Sequence, residues 1–247
     1  MVSSPVGSPL VSLPVVSLRR RLLAEFVGCL FLAAAVVGSG IAAQTLSPGD
    51  VGLQLTENAI ATAFALFVLI AVLAPISGAH FNPIISIVDA SLRRRPWREV
   101  PGYAAVQVVG CAAGVMLANV MFGHPLVSIS EKARLSPAHW LAEVVATAGL
   151  VMVVFVLMRF GRERLAPAAV AAYIGAAYLF TSSTSFANPA ITAGRILSNT
   201  FAGIDPISAA GFIVAQVVGG VAGFLLVRAL APAQTHAPVL DQEGANS

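Results

Sequence analysis

The sequence predicts an all-α membrane protein of six transmembrane helices and two re-entrant half-helices, arranged as an inverted three-plus-three repeat. Three observations carry that expectation. Of 247 residues, 57% are hydrophobic and 10% charged, and mean hydropathy is +0.87, whereas about a quarter of the residues of a soluble domain are charged. Two similar stretches, Ser77-Gly78-Ala79-His80-Phe81-Asn82-Pro83-Ile84 and Ser183-Thr184-Ser185-Phe186-Ala187-Asn188-Pro189-Ala190, each open a short apolar run. The apolar segments around them repeat between the two halves of the chain.

Each Asn-Pro reads as a helix start. The asparagine side chain accepts from free amides of the first turn, and proline suits the first helical position because it has no amide to leave unpaired. A run of about 11 residues at 1.5 Å per residue covers roughly 16 Å, half the hydrocarbon thickness. Two such half-helices starting at the bilayer centre and running outward in opposite directions make one broken span.

Residues 1–20 hold Pro5, Pro9 and Pro14 among Ser and Val, which would break a signal-peptide core, so they read as a retained, flexible tail. The first span is expected over Leu22–Leu46, with Glu25 near its start, and Pro48, Gly49 and Asp50 mark a turn. The second runs over Glu57–Ile76, ended by Pro75 ahead of the first half-helix, and Arg93, Arg94, Arg95 and Arg98 form a basic loop. Later spans are expected over Val100–Phe122, Pro137–Met158, Leu165–Phe180 and Pro206–Leu230. Repeat one thus covers about 21–122 and repeat two about 137–231, within a channel-like domain of 21–231. Residues 232–247 are polar and without periodicity, a disordered tail.

The halves match in detail. Leu23-Ala24-Glu25-Phe26-Val27 answers Leu141-Ala142-Glu143-Val144-Val145, and the Gln107–Gly114 segment answers Gln216–Gly223. An odd number of spans per half forces the second copy to enter from the opposite face, giving an inverted repeat with a midplane site built from broken helices. Gly110, Gly114, Gly219 and Gly223 are four apart in each pair, a spacing that permits close helix approach. Arginines at 19–21, 93–98 and 159–164 fall in alternate connections, which places both termini in the cytoplasm. The net charge of +3 therefore records topology and gives no reason to expect nucleic acid. Cys29 and Cys111 lie inside apolar spans and support no disulfide, metal or redox reading.

Paired Asn-Pro half-helices, Ser77-Gly78-Ala79-His80 before the first, and a glutamate in spans one and four make residues 20–231 similar to the aquaporin and glycerol facilitator family. The resemblance implies a passive channel of the plasma membrane, a homotetramer with one pore per subunit, passing water or small neutral solutes, with Asn82 and Asn188 as the pore asparagines. Asn188-Pro189-Ala190-Ile191-Thr192-Ala193-Gly194-Arg195 further resembles a bacterial branch linked to arsenic handling, which implies solutes such as undissociated arsenite or small polyols.

Physical chemistry gives the mechanism beside that resemblance. Two helix N-termini meeting at the midplane put positive dipole ends there, repelling cations and orienting a solute oxygen toward Asn82 and Asn188, which interrupts proton hopping. Both asparagines are also expected to cap their helices. His80 either lines the cytoplasmic half or, as a lone histidine, packs by hydrogen bonds; the resemblance favours loop stabilisation with its carbonyl facing the channel. Glu25 and Glu143 are costly in lipid and, at matched positions, read better as anchors of the two loops than as a proton relay.

The family's outer constriction has an aromatic on span two and an arginine directly after the second Asn-Pro-Ala. Counting back from the asparagines assigns its positions here to Thr62, Ala176 (within a residue) and Ser185, and Ile191 stands directly after Asn188-Pro189-Ala190. Such a ring is wide and partly apolar. Arg195, one turn beyond Ile191, either reaches back toward the ring or bonds loop carbonyls. The alternative class is a secondary transporter, which also uses inverted repeats and broken helices, although Glu25 and Glu143 are the only acids in the spans apart from Glu57 at the edge of the second. No motif sets a nucleophile beside a base, so no catalytic residue, metal ligand or cofactor is expected.

Overall fold

Residues 16–231 are described by a computed structural model. The helices are α1 (Leu18–Leu46), α2 (Val51–Ser77), α3 (Pro83–Ser91), α4 (Val100–Met121), α5 (Pro137–Arg159), α6 (Ala166–Phe180), α7 (Pro189–Arg195) and α8 (Pro206–Leu230). Short 3₁₀ turns at Trp97–Glu99 and Glu163–Leu165 lead into α4 and α6. Helices α1, α2, α5 and α8 and the Trp97–Met121 segment are each long and apolar enough to cross a bilayer. At 15 residues α6 reaches only about 22 Å, and the preceding 3₁₀ turn extends it.

Local chemistry sets most boundaries. Asp50 accepts from Leu53 N at 2.9 Å to start α2, Ser136 from His139 N at 3.2 Å to start α5, and Asp205 from Ile207 N and Ser208 N to start α8. Proline stands in the first turn of α3 to α8. Four expectations need correction. Helix α2 begins at Val51, six residues before the expected Glu57, because the Asp50 cap starts it. Helix α1 begins at Leu18, four residues early, because nothing after Pro14 interrupts it; the rest of the expected tails, 1–15 and 232–247, lie outside the described residues. Pro75 does not end α2, which runs on to Ser77 and closes where Gly78, at φ +93°, donates its amide to Ala74 O; a proline this near the end costs few helical bonds. The half-helices are also shorter than expected, 9 and 7 residues.

Helix α1 packs on α2 and α4, α5 packs on α6 and α8, and the α2–α6 contact joins the halves. The glycine pairs decide how close the helices come. A Cβ on Gly110 or Gly114 would stand 2.5 Å from Phe26 O or 2.1 Å from Leu30 O, and one on Gly219 or Gly223 would stand 2.6 Å from Val144 O or 2.8 Å from Ala148 O. No side chain fits at these crossings, so α4 lies backbone-to-backbone on α1, and α8 on α5. Both half-helices fit into the space between: α3 touches α4 and α8, and so does α7. Polarity is reversed relative to a soluble domain. Phe64, Leu141, Ile207 and Val214 are 65–70% exposed, while Glu25, Gln107, Glu143 and Gln216 are fully buried. An apolar exterior is stable against hydrocarbon, and a polar interior is stable only if hydrogen bonded.

Candidate functional site: two re-entrant loops around one cavity

The two loops that precede α3 and α7 adopt the same unusual backbone. Ala79 and Phe81 in the first, and Thr184, Ser185 and Ala187 in the second, have φ between +48° and +62°, a conformation costing about 1–3 kcal/mol per non-glycine residue. Hydrogen bonds to a buried carboxylate hold each loop in that shape. Glu25 accepts from Ser77 Oγ (2.6 Å), His80 N (2.9 Å), Phe81 N (2.7 Å) and Gln107 Nε2 (2.8 Å). Glu143 accepts from Ser183 Oγ (2.6 Å), Phe186 N (2.9 Å), Ala187 N (2.8 Å) and Gln216 Nε2 (2.7 Å). Each carboxylate thus neutralises two loop amides and is itself saturated. Gln107 and Gln216, seen in the sequence only as part of the repeat, supply the fourth donor and tie each glutamate to its half-helix through Ser86 Oγ or Thr192 Oγ1.

The loops are also tied to each other. Asn82 Nδ2 donates to Ala187 O and Asn188 Nδ2 to Phe81 O, both at 2.7 Å. Their Oδ1 atoms cap the half-helices, accepting from Ile84 N at 2.9 Å and from Ala190 N at 2.9 Å. Every side-chain atom of each asparagine is oriented by these bonds, and one amide hydrogen of each Nδ2 remains. Both residues line a single cavity of about 620 Å³, which extends from Glu163 and Arg164 on one face to Arg195 on the other. Gly78, Ala79, His80, Ser185 and Phe186 line it too, and among the described residues their carbonyls accept no hydrogen bond from the protein. The remaining wall is mostly apolar, including Leu66, Ile70, Leu150, Val154 and Ile174. A small solute would therefore meet a greasy tube with a few fixed donors and acceptors.

Of the ring assigned by counting, Thr62, Ser185 and Ile191 line the cavity and Ala176 does not. Ala176 is exposed on the outer face of α6, and Tyr178 takes its place, its hydroxyl 3.3 Å from Thr62 Oγ1. Two residues on a helix turn the side chain through about 200°, so a small error in counting selects the opposite face. The spacing of Val170, Ile174 and Tyr178 along α6 was the available signal. Tyr178 and Phe186 bring aromatic bulk to a ring expected to have none.

Arg195 is 2% exposed and lines the outer end of the cavity. Its Nε donates to Ala202 O, its guanidinium carbon lies 3.4 Å from the centre of the Phe186 ring, and Nη1 is buried without a partner. Arg195 thus bonds a loop carbonyl and is one of the residues that line the cavity. Nearby, Lys132 donates to Phe201 O at 2.8 Å, and Arg134 donates to Gly203 O and Ser183 O. Burial, with Arg134 and Arg195 adding repulsion, pushes the Lys132 ammonium down to about 8.

On the opposite side His80 lines the cavity, with Nδ1 3.0 Å from Ser86 Oγ and Nε2 3.5 Å from Asp89 Oδ2, and its ring packs 5.6 Å from that of Tyr103. Arg95 pairs with Asp89 and Glu99, donates to Ser77 O, and lies 3.9 Å over Tyr103; Arg21 adds two 2.8 Å bonds to Glu99. Among the described residues, no group of acids, histidines and cysteines is arranged to hold a metal ion.

The sequence matches the major intrinsic protein family over residues 12–187. It is 46% identical over 225 residues to aquaglyceroporin AqpS of Rhizobium meliloti, a match covering 91% of this chain and 95% of that protein. It is 32% identical over 222 residues to aquaporin NIP3-1 of Oryza sativa subsp. japonica, covering 85% and 68%. The X-ray structure of the aquaglyceroporin from Plasmodium falciparum superposes with a TM-score of 0.65 at 21% identity, covering 85% of this chain and 95% of that one, a likeness in fold. With this family match and a similar relative along nearly the whole length, the chain belongs to the major intrinsic protein family and is a membrane channel for water and small solutes.

Proposed function

We propose that the chain is a passive pore of the inner (plasma) membrane, assembled as a homotetramer with both termini in the cytoplasm. Its solutes are water, glycerol-like polyols and undissociated metalloid acids such as arsenite. The observation that carries the reading is the pairing of Asn82 and Asn188: each is locked by its cap and by a bond to the other loop, and each keeps one amide hydrogen in the same cavity. A solute oxygen arriving at the midplane accepts from both, with the N-termini of α3 and α7 supplying a positive potential that disfavours cations. Glu25 and Glu143 anchor the loops. His80 holds its loop beside Ser86, and Thr62, Tyr178, Ser185 and Ile191 form the outer wall, with Arg195 above it. The Rhizobium meliloti relative is an aquaglyceroporin, which supports a solute range beyond water.

Stopped-flow light scattering on proteoliposomes under water, glycerol and arsenite gradients tests this. Flux of water and at least one of the two solutes above protein-free liposomes, linear in concentration and independent of ion gradients, is the expected result. Asn188→Ala removes a cap worth about 1 kcal/mol together with one of the two donors, and unchanged flux at equal incorporation would refute the role given to the asparagines.

A further inference from the structure

We propose that Gly28 on α1 and Gly220 on α8 are positioning residues for the two pore asparagines, although neither lines the cavity. Each leaves a notch that seats one large side chain of the first re-entrant segment, Phe81 in the first and Ile84 in the second. Seating Phe81 fixes the carbonyl that orients Asn188, and seating Ile84 fixes the amide that orients Asn82. The proposal rests on the channel reading and deepens it. A Cβ on Gly28 would lie within 2.6 Å of three atoms of the Phe81 ring, and one on Gly220 would lie 2.6 Å from Ile84 Cγ2. Phe81 is 2% and Ile84 3% exposed, so neither side chain has open space to swing into.

The inverted repeat shows that the notches are matched to what they hold. Phe81 stands one residue before Asn82 and Ile84 two after it, and the related positions around Asn188 hold Ala187 and Ala190. Gly28 stands three residues after Glu25 and Gly220 four after Gln216, and the related positions after Glu143 and Gln107 hold Ala146 and Cys111. Where the loop residue is large the bundle helix has no side chain, and where the loop residue is small the helix has one. Ala146, Cys111, Ala187 and Ala190 are all fully buried, so the second half is filled without notches.

The notches act on the site through hydrogen bonds. Phe81, at φ +50°, is gripped at three points: its N donates to Glu25 at 2.7 Å, its O accepts from Asn188 Nδ2 at 2.7 Å, and its ring fills the Gly28 notch. Glu25 and Gly28 are three apart and share one face of α1. Ile84 N donates to Asn82 Oδ1 at 2.9 Å. A β-branched side chain in a helix has essentially one rotamer, so a group pressing on Ile84 Cγ2 moves that amide with it. Hydrogen bonds weaken steeply as they bend. Water turns freely to meet a displaced donor, whereas a polyol holds its hydroxyls at fixed spacings along a carbon chain. A displaced asparagine therefore slows glycerol more than water.

The glycerol-to-water permeability ratio of proteoliposomes of the full chain reads this, because it does not depend on how many channels are folded. Gly28→Ala and Gly220→Ala are each expected to lower the ratio by about three-fold or more, the order of one impaired hydrogen bond. Adding Ile84→Ala to Gly220→Ala removes the colliding methyl without altering the cavity wall, which Ile84 does not line, and is expected to recover most of the ratio. Gly114→Ala, at a crossing where the nearest atoms all belong to α1, should lower Tm and leave the ratio unchanged. An unchanged ratio in Gly220→Ala, an equal fall in Gly114→Ala, or no recovery in the double variant overturns the positioning role. If Gly220→Ala does not fold, the double variant must fold with a ratio near that of the wild type, and its failure to do so overturns the notch. Absence of water or glycerol flux in the wild type would instead overturn the reading of the channel and its solutes.

Discussion

Replacing Glu143 by glutamine tests whether the carboxylate holds the second re-entrant loop. The change is nearly isosteric but turns one oxygen into an amide that donates. Oε1 receives Ser183 Oγ and Phe186 N, and Oε2 receives Ala187 N and Gln216 Nε2. The serine hydroxyl can rotate to accept. A backbone amide cannot, so whichever way the glutamine faces, Phe186 N or Ala187 N meets a donor. The loss is one charge-assisted bond, about 1.5–3 kcal/mol, plus a buried amide left unpaired, about 1–3 kcal/mol, partly offset because a buried charge disappears. A net destabilisation of about 3 kcal/mol lowers Tm by about 6–12 °C in a protein of this size. Intrinsic fluorescence from Trp97 and Trp140 during thermal unfolding of the purified protein reads this, alongside water permeability per incorporated protein. Because the loop carries Ser185, Ala187 and the cap of α7, flux should fall with stability. Glu25→Gln should behave alike, since Glu25 has the same set of partners in the other half. A Tm shift below about 2 °C with normal flux in both variants would refute the idea that these bonds hold the loops.

Three further outcomes are expected. Ile191→Arg places a bulky cation on the wall of the cavity that Tyr178 and Arg195 also line, so glycerol and arsenite flux should fall more than water flux in stopped-flow traces, and equal losses would count against a wall at this position. Gly114→Val puts a Cβ 2.1 Å from Leu30 O and should destabilise by about 1–3 kcal/mol or more, whereas Gly52→Ala, whose nearest atom is Asp50 Oδ1 at 3.4 Å, should change Tm little; similar Tm values for the two would show that the α1–α4 crossing tolerates a side chain. Lys132 has its folded-state pKa lowered to about 8 from 10.5, first by burial of its ammonium and then by repulsion from Arg134 and Arg195, so the fold disfavours its charge below about 8, and this penalty is relieved as pH rises from about 8 toward 10.5. Its rate of acylation, followed by peptide mass spectrometry, should therefore rise with a midpoint near pH 8 and move upward in Arg134→Met; a midpoint near the ordinary lysine value would remove the repulsive outer mouth.

Much of this architecture is legible along the chain. Asn-Pro starts a half-helix wherever it lies, because the cap and the missing amide act within the first turn, and the α3 and α7 starts fall at Pro83 and Pro189. The matched glutamates and the glycine pairs Gly110–Gly114 and Gly219–Gly223 stand out because a repeated fold must repeat the groups that hold it. Pro75 misleads because proline's effect depends on how much helix follows it, and only two residues do.

What only the tertiary structure decided is where individual side chains point. Ala176 was selected for the wall by counting, but at about 100° per residue the choice between it and Tyr178 is a choice between opposite faces. Arg195 could reach the cavity or the loop, and the deciding partners, Ala202 O and the Phe186 ring, come from segments brought beside it by folding. Gln107 and Gln216 find their glutamates 82 and 73 residues away. The sequence by itself determined the spans, the inverted repeat and the two helix starts, since apolar length, repetition and capping are short-range or periodic properties. The pairing of Asp89 with arginines and of Arg195 with an aromatic ring was decided by packing, because nothing within one turn of either residue states which long-range partner will neutralise it.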